Sequence, residues 1–344
     1  MLGKRAGDTN QLLAIANALD WPFELKPLEY NQLRKLPFGR SPSLASLARR
    51  ARQTIQPPWP DLIIGAGYRF IPIARFVRGA SGGRTRIVAI GNPRGSAEDL
   101  DLVITTPQYG RDPAPNLLAL RFPAGNPSKA IQPNVEELAF LRRRPGPRRL
   151  VAVGGPARNW SIDRDALVDA LAAVEQRMKV EGGSVVLAYS LRTPKRLRRW
   201  LHDWSQQRGI ALVSDFPRFG VLLSECDEIL VTADSVSMLS EAILTGKPVG
   251  MIPIRQSLRG RVSHALARLK LKPWPRMDLR SFWRVLEEDQ LVGTPAKLRA
   301  SRCRETTGIA VDAILKLFGE PPHPHEGAIK PPLLELQART WSEG

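Results

Sequence analysis

Short runs of Ile, Val and Leu recur along the chain and alternate with longer segments that have the spacing of amphipathic helices. Eight runs are hydrophobic at nearly every position, which is typical of strands covered on both faces. Their alternation with helices predicts parallel sheets in a doubly wound α/β fold. The predicted strands are 61–67, 85–93, 101–107, 148–156, 183–190, 210–215, 228–235 and 247–254.

The sequence RRRPGPRRL at 142–150 is the clearest candidate boundary between domains. Its Pro-Gly-Pro cannot continue a helix and its arginines repel one another, so we predict a hinge linker there. Because the alternation of strands and helices starts again after it, we predict a second sheet and two α/β domains, 1–144 and 145–320. A Pro-rich irregular tail at 321–344 follows them.

The positive net charge favours partners that carry phosphate, but it does not identify which one. The 344 residues include 51 Lys and Arg against 33 Asp and Glu, a formal net charge of +18, which favours approach to phosphates. The two cysteines, Cys226 and Cys303, have neither a disulfide nor a zinc-site spacing, so we expect a reducing compartment and no metal. No run reaches the roughly 18 apolar residues of a membrane span, which predicts a soluble or peripheral protein.

The most informative segment is 228–254, in which a buried strand is followed by a Ser-containing turn, a helix and another strand. A helix N-terminus offers free amides, so a diphosphate fits near Ser235 and Ser237, with Thr232 before them and Glu241 placed for a ribose. The alternative is structural: Asp234 or Ser235 caps the helix, and Glu241 is a solvated acid. The residues alone leave both interpretations open.

The stretch TADSVSMLSEAILTGKPV (232–249) resembles the nucleotide-sugar half of two-domain glycosyltransferases with the GT-B fold. This resemblance implies that the two predicted domains are Rossmann-like and face a cleft. More of the chain resembles bacterial members of the "elongated mitochondria" family, named for plant mitochondrial-fission factors and also found as glycosyltransferase-like proteins. GKRAGDTNQLLAIANAL, PDLIIGAGYRFIPIA, AVGGPARNW and SLRTP (190–194) carry that resemblance, in order, ahead of the longer stretch.

In the C-terminal half the resemblance implies a donor site at the ends of strands. Gly154 and Gly155 would let a phosphate approach the backbone, although an ordinary tight turn explains them equally well. Ser190 and Arg192 follow another strand, and the guanidinium could pair with a diphosphate. The family has two arginines in that segment where this chain has Leu191 and Arg192, which implies weaker donor binding.

In the N-terminal half the resemblance places Gly3 to Asp8 in the turn after a first strand, which this sequence would lack. We therefore expect a gap or a ragged centre in the N-terminal sheet. Asp8 is the candidate general base, although its place at a helix start favours a capping role. The pairs Asp99/Asp101 and Asp163/Asp165 imitate a metal-binding Asp-x-Asp motif, and we interpret both as structural.

Two functions follow as hypotheses. The first is a metal-independent glycosyltransferase that takes a nucleotide sugar and no other cofactor, with a lipid-linked acceptor at the cytoplasmic membrane face. Basic stretches 195–200 and 255–261 would hold it peripherally on anionic lipid, at the inner face of the membrane. The alternative is a non-catalytic adaptor that keeps the fold. Nucleic acid ranks last as a partner, because no binding module accompanies the charge.

Overall fold

The computed structural model describes residues 1, 6–35, 41–93, 97–125, 132–214, 216–269, 271, 277–301 and 306–319. These residues divide into two compact units at Gly125 and again at Arg304. The first unit contains the residues before the first division and after the second, and the second unit contains those between them. Within the described ranges, no helix combines the length and the apolar character needed to span a bilayer.

The first unit is built on a four-stranded parallel sheet with the strands in chain order. Strands β1 to β4 are Leu62–Ala66, Arg86–Ile90, Leu102–Thr105 and Leu117–Ala119. The helices of this unit are α1 (Ala6–Leu19), α2 (Arg49–Gln53), α3 (Ile71–Ala80) and α11 (Thr306–Lys316).

Hydrophobic residues cover both faces of this sheet. In β2 and β3, Ala89 and Val103 belong to the core cluster that includes α3 residues, and Val88 and Ile104 belong to the cluster that includes α1 and α11 residues. Burial on both faces explains why these strands have continuous apolar runs rather than alternating ones. The predicted doubly wound arrangement is confirmed here.

The described strands of this sheet pair without interruption, unlike the expected ragged centre. The edge of the sheet lies at β1, where the Met1 ammonium group donates to the Ile64 carbonyl oxygen at 2.7 Å. Of the expected turn at Gly3 to Asp8, residues 3–5 lie outside the described residues.

The second unit has a six-stranded sheet in the order β12-β10-β9-β5-β7-β8, in which β12 is antiparallel and the other strands are parallel. A separate antiparallel pair is formed by β6 and β11. Strands β5 to β12 are Arg148–Val153, Trp160–Ile162, Ser184–Tyr189, Ala211–Val213, Glu228–Thr232, Pro248–Ile252, Ile254–Gln256 and Arg299–Ala300. Helices α4 to α10 are Val135–Arg142, Arg164–Glu181, Lys195–Gln206, Phe219–Glu225, Val236–Leu244, Leu258–Arg268 and Leu279–Glu288.

The order of this sheet reverses next to β5. After β5 the chain builds outwards through β7 and β8, then returns to the other side of β5 to form β9 and β10. In open α/β sheets, ligands bind at the carboxyl ends of the strands beside such a reversal. The topology therefore directs attention to the residues that follow β5 and β9.

The division of the chain differs from the predicted boundary at 144/145. Helix α4 belongs to the second unit and α11 to the first. The predicted hinge at 142–150 lies within the second unit, and two of its arginines have partners inside that unit. Arg149 is fully buried and pairs with Glu228 and Glu181, and the Arg148 amide donates to Asp227 at 2.7 Å.

Candidate functional site

Three loops of the second unit meet where neighbouring parallel strands end. Strands β9, β5 and β7 are adjacent in the sheet, and each is followed at its carboxyl end by residues predicted for the site. Gly154 and Gly155 follow β5, Ser190 and Arg192 follow β7, and Thr232 ends β9. Hydrogen bonds connect all three loops, so the structure brings these predicted residues together.

The side chain of Asp234 is the centre of this cluster, and it is only 4% exposed. Its Oδ1 accepts from the Thr232 hydroxyl at 2.6 Å, and its Oδ2 accepts from the Gly155 amide at 2.9 Å. The same Oδ2 receives the Arg192 guanidinium at 3.1 Å. One carboxylate therefore joins the ends of three strands.

The two glycines fit tightly against this centre. A Cβ at Gly154 would overlap the Asp234 carboxylate, and a Cβ at Gly155 would overlap the Arg192 backbone. The Gly154 amide donates to the Thr232 hydroxyl at 2.8 Å, so both glycine amides already have acceptors inside the protein. Close packing within the cluster is thus a sufficient physical reason for glycine at both positions.

The loop after β7 is held by Thr193, which is 1% exposed. Its hydroxyl donates to the Gly154 carbonyl oxygen at 2.5 Å and accepts from the Ser190 amide at 3.1 Å. These bonds fix the backbone on either side of Arg192. The Arg192 side chain is nevertheless 50% exposed, so its guanidinium retains donors that face solvent.

Helix α8 begins directly after the centre of the cluster. Ser235 caps it, with its hydroxyl oxygen accepting from the Met238 amide at 3.5 Å, so Asp234 is not the cap. Within the described chain, the amides of Val236 and Ser237 have no acceptor, as expected for a first helical turn. Glu241 is the sixth residue of α8 and lies partly buried in its second turn.

The electrostatics of the cluster are set by burial. Burial raises the pKa of the Asp234 carboxyl, and the Thr232 and Gly155 hydrogen bonds and the Arg192 charge oppose that effect without cancelling it. A buried carboxyl whose charge is incompletely compensated, at a strand end, is a recognised sign of a functional site. Arg192 is the one cation that contacts it in the described structure.

An aromatic pair supports the turn between β9 and α8. The Trp283 indole N–H donates to the Ala233 carbonyl oxygen at 2.9 Å. The Trp160 and Trp283 rings contact edge to face, with their centroids 4.7 Å apart. Because Trp160 lies on β6 and Trp283 on α10, two elements outside the main sheet fix the backbone on which Asp234 and Ser235 lie.

The other candidates lie elsewhere in the chain. Asp8 is the third residue of α1, inside its first turn and partly buried, and its role as a base stays a prediction. Asp99 pairs with Arg75, Asp101 pairs with Arg78 and Arg86, and Asp163 caps α5. The predicted cap at Asp163 is confirmed, and the absence of a metal at either Asp-x-Asp pair stays a prediction.

Sequence reasoning missed two residues of the cluster, Asp234 as its centre and Thr193 as the support of its loop. A cap was the natural local interpretation of Asp234, because Asp before a helix is a favoured N-cap. Its partners at Gly155 and Arg192 are 79 and 42 residues away in sequence, beyond any local pattern. A buried Thr after a predicted strand is a weak signal that could have drawn attention to Thr193.

A family model and a plant protein match large parts of the chain. A family model described as mitochondrial fission ELM1 matches residues 6–306. Mitochondrial fission protein ELM1 of Arabidopsis thaliana is 28% identical over 242 residues, which cover 59% of this chain and 53% of that protein. The matched region thus spans about half the length of the curated relative.

Two solved structures are similar to most of the chain. UDP-GlcNAc 2-epimerase from Methanocaldococcus jannaschii matches with a TM-score of 0.50 at 12% identity, over 91% of this chain and 97% of that chain. The MnaA–UDP co-structure from S. aureus matches with a TM-score of 0.44 at 12% identity, over 93% and 97%. The first likeness confirms the predicted GT-B-like α/β fold.

Proposed function

Because the chain belongs to the mitochondrial fission ELM1 family, we propose that it uses its GT-B-like scaffold as a glycosyltransferase and binds a nucleotide-activated sugar in the second unit. Two kinds of donor carry this proposal: the amides of Val236 and Ser237, which have no acceptor among the described residues, and the half-exposed guanidinium of Arg192. The two amides open helix α8 directly after Asp234, and Arg192 lies on a loop that Asp234 joins to the end of β9, beside the reversal of strand order.

The donors suit a diphosphate. Helix amides and the positive end of the helix dipole favour negative charge, and a guanidinium adds two parallel donors for phosphate oxygens. Asp234 orients Arg192 without contributing an accessible anion, because the carboxylate is buried. Glu241, five residues beyond Val236, would accept the hydroxyls of the ribose.

The remaining roles follow the same proposal. The hydroxyl oxygen of a lipid-linked acceptor at the cytoplasmic membrane face would form a bond to the anomeric carbon of the sugar and lose its proton to Asp8. The bond from the sugar to the diphosphate would break, and the nucleoside diphosphate would leave. The reaction would be metal-independent, since the Asp-x-Asp pairs serve in ion pairs and a helix cap. The nucleotide sugar is the substrate, and the proposal includes no further cofactor.

The alternative is a non-catalytic adaptor that keeps the fold and associates with a membrane. The names of the matched family and of the Arabidopsis relative refer to mitochondrial fission and favour this alternative. The internal use of both glycine amides favours it as well, because these donors are then engaged within the protein. Fold by itself does not decide between the two functions.

Titration calorimetry with a panel of nucleoside diphosphates and nucleotide sugars tests the proposal. Uridine compounds come first, because the solved epimerase that shares the fold is named for UDP-GlcNAc. Val236→Pro removes one proposed amide donor at the first helical position, where proline is tolerated. Val236→Ala is the matched control for the lost side chain. We expect proline, but not alanine, to weaken binding of one nucleotide class by about tenfold or more.

Turnover is tested separately by following release of nucleoside diphosphate from the sugar donor that binds, in the presence of membrane lipid extract, with Asp8→Asn as the variant. Release that depends on Asp8 supports the transferase. Binding of no nucleotide by the folded protein contradicts a donor site and leaves the adaptor as the better account.

A further inference from the structure

Helix α9 carries an exposed apolar stripe. Leu258, Val262 and Leu269 are 72%, 59% and 68% exposed, and Ala265 is exposed between them. Their spacings of four, three and four residues place all four side chains on one face of the helix and its final turn. Large apolar side chains grouped in this way on a surface mark an interaction site more strongly than scattered ones.

Arginines flank this stripe on both sides. At about 100° per residue, Arg261 and Arg268 lie along one side of it and Arg259 along the other. All three are exposed. The helix sequence LRGRVSHALAR contains no acidic residue, so no carboxylate of α9 itself offsets their charge.

The opposite face of α9 is fixed to the second unit. Ser257 caps the helix and its amide donates to the Asn159 carbonyl oxygen at 2.9 Å. A Cβ at Gly260 would overlap that same carbonyl group, which shows how closely the helix approaches the loop before β6. His264 is buried and hydrogen-bonded to Gln256 of β11. The apolar stripe is therefore held outward by a well-anchored face.

We infer that this face of α9 docks on an anionic lipid bilayer. A helix with an apolar stripe and arginines along its flanks lies in the plane of the membrane interface, where the stripe enters the acyl boundary and the arginines meet phosphates. The formal net charge of +18 favours an anionic surface over a neutral one. Charge complementarity thus selects the occupant of the stripe.

The inference deepens the membrane association that the proposed function includes, by naming the surface responsible. The other basic helix, α6, differs in composition. Lys195, Arg196 and Arg199 are exposed on it, and its remaining exposed residues are polar. Basic charge without an apolar stripe gives only weak, salt-sensitive attraction to lipid. The two helices therefore make a matched pair for a test.

Co-sedimentation of the full chain with sucrose-loaded vesicles tests the inference, using phosphatidylcholine alone and phosphatidylcholine with 30% phosphatidylserine, about the charge of an anionic leaflet. We expect binding to the anionic vesicles. Leu258→Ser/Val262→Ser/Leu269→Ser should lower the partition coefficient by about tenfold or more, because the stripe loses its apolar area. Arg259→Gln/Arg261→Gln/Arg268→Gln should lower it by a similar or larger factor.

The control variant Lys195→Gln/Arg196→Gln/Arg199→Gln removes the same number of charges from α6 and should change the partition coefficient by less than about twofold. The inference would be overturned in favour of unspecific charge attraction if the α9 arginine variant and the α6 control variant lost vesicle binding equally while the serine variant lost none. Absence of vesicle binding would overturn it too. A dimer in sedimentation velocity that only the serine variant loses would then assign the stripe to a second copy of the chain.

Nucleotide titration does not depend on α9, so failure of this inference and failure of the proposed function are separate results. The serine variant should bind nucleotide as the parent chain does. If the parent chain binds vesicles but no nucleotide, the proposed membrane surface is supported and the proposed donor site is contradicted.

Discussion

Two buried carboxylates of the second unit, Glu137 and Asp234, have opposite electrostatic settings. Burial acts on both, but hydrogen bonds from Arg218 and from the Asn134 amide overcome it at Glu137 and lower the pKa to about 2. At Asp234 burial prevails and the pKa is raised. The difference separates a carboxylate that fastens the fold from one whose charge is incompletely compensated.

The Glu137 region is a closed ion pair. Its Oε1 accepts from the Arg218 amide at 2.9 Å and from the Arg218 Nε at 2.8 Å, and its Oε2 accepts from another Arg218 nitrogen at 2.6 Å. Asn134 completes a capping box at the start of α4. Every acceptor is used and α4 is fastened to the loop before α7, so we assign this region to stability.

The Asp234 region is open by comparison. Among the described residues its one cationic partner, Arg192, is half exposed. The first turn of α8, which begins two residues later, has amides with no acceptor in the described chain. The charge of the buried Asp234 carboxylate is only partly compensated, which is unfavourable for the free protein. An anion bound by Arg192 and the amides would change how far that charge is compensated. Burial alone therefore does not mark a functional acid, because the hydrogen-bond and ion-pair partners decide whether the pKa of the buried carboxyl is lowered or raised.

The largest expected effect is on stability, at the closed pair. Glu137→Gln leaves Arg218 without its buried counter-charge and should lower the free energy of unfolding by about 3 kcal/mol. Urea unfolding measures it. Glu136→Gln, one residue away and exposed on α4, should cost less than about 0.5 kcal/mol. Equal costs in both variants would contradict the assignment of Glu137 to stability.

The same pair predicts a pH dependence. Because the folded pKa of Glu137 is lowered from 4.5 to about 2, its contribution is complete above pH 4.5 and is lost as pH falls towards 2, a loss of about 3 kcal/mol. Asp234, with its raised pKa, contributes in the opposite sense, losing stability as pH rises from 3.8. Unfolding curves from pH 2 to 6 should lose their Glu137 component in Glu137→Gln.

Arg192→Gln should weaken ligand binding, and it should also lower stability, because the buried Asp234 loses its cationic partner. Loss of a charged donor to phosphate is expected to weaken nucleoside diphosphate binding by about 2 kcal/mol, or about thirtyfold. Calorimetry with Arg196→Gln as control checks this, since Arg196 is an exposed arginine on the adjoining helix α6. Similar weakening by both arginine variants would show that overall charge, not the cluster, binds the ligand.

Gly154→Ala should disturb the open region by steric overlap. The added methyl group would meet the Asp234 carboxylate, and overpacking of this kind costs about 1–3 kcal/mol. Gly79→Ala is the matched control, because its methyl group meets nothing within 4 Å on helix α3, and it should stabilise by about 0.5 kcal/mol. Thermal unfolding compares them, and a neutral Gly154→Ala would mean that the strand ends are loosely packed.

The smallest expected effect belongs to Trp283→Phe. Loss of the indole donor to the Ala233 carbonyl oxygen should cost about 1 kcal/mol of stability, while the phenyl ring keeps much of the contact with Trp160. A thermal shift assay measures it. A change in nucleotide affinity larger than the change caused by Arg192→Gln would contradict a purely supporting role for the aromatic pair.

The sequence predicted the long strands well and the short ones poorly. The apolar runs 87–90 and 150–153 identify β2 and β5, because the sheet is covered on both faces there. Three-residue strands such as β4 and β6 are too short to show a period. Arg149 was interpreted as part of a charged linker, since its partners Glu181 and Glu228 are distant in sequence.

The sequence predicted where the candidate site lies, but not the contacts between its residues. Strand ends followed by Gly, Ser or Thr were recognisable, and the structure brings Gly154, Arg192 and Thr232 into one cluster. The central role of Asp234 was hidden, because the adjacent Ser235 is an equally good cap and only tertiary contacts distinguish them.

Hydrogen–deuterium exchange with and without the nucleoside diphosphate that binds best tests directly whether the donor site lies at the ends of β5, β7 and β9. The account predicts slower exchange in peptides covering 232–239 and 190–193, because the Val236 and Ser237 amides and the loop of Arg192 engage the ligand. Unchanged exchange there at saturating ligand, or protection confined to the first unit, would contradict a donor site at the ends of β5, β7 and β9.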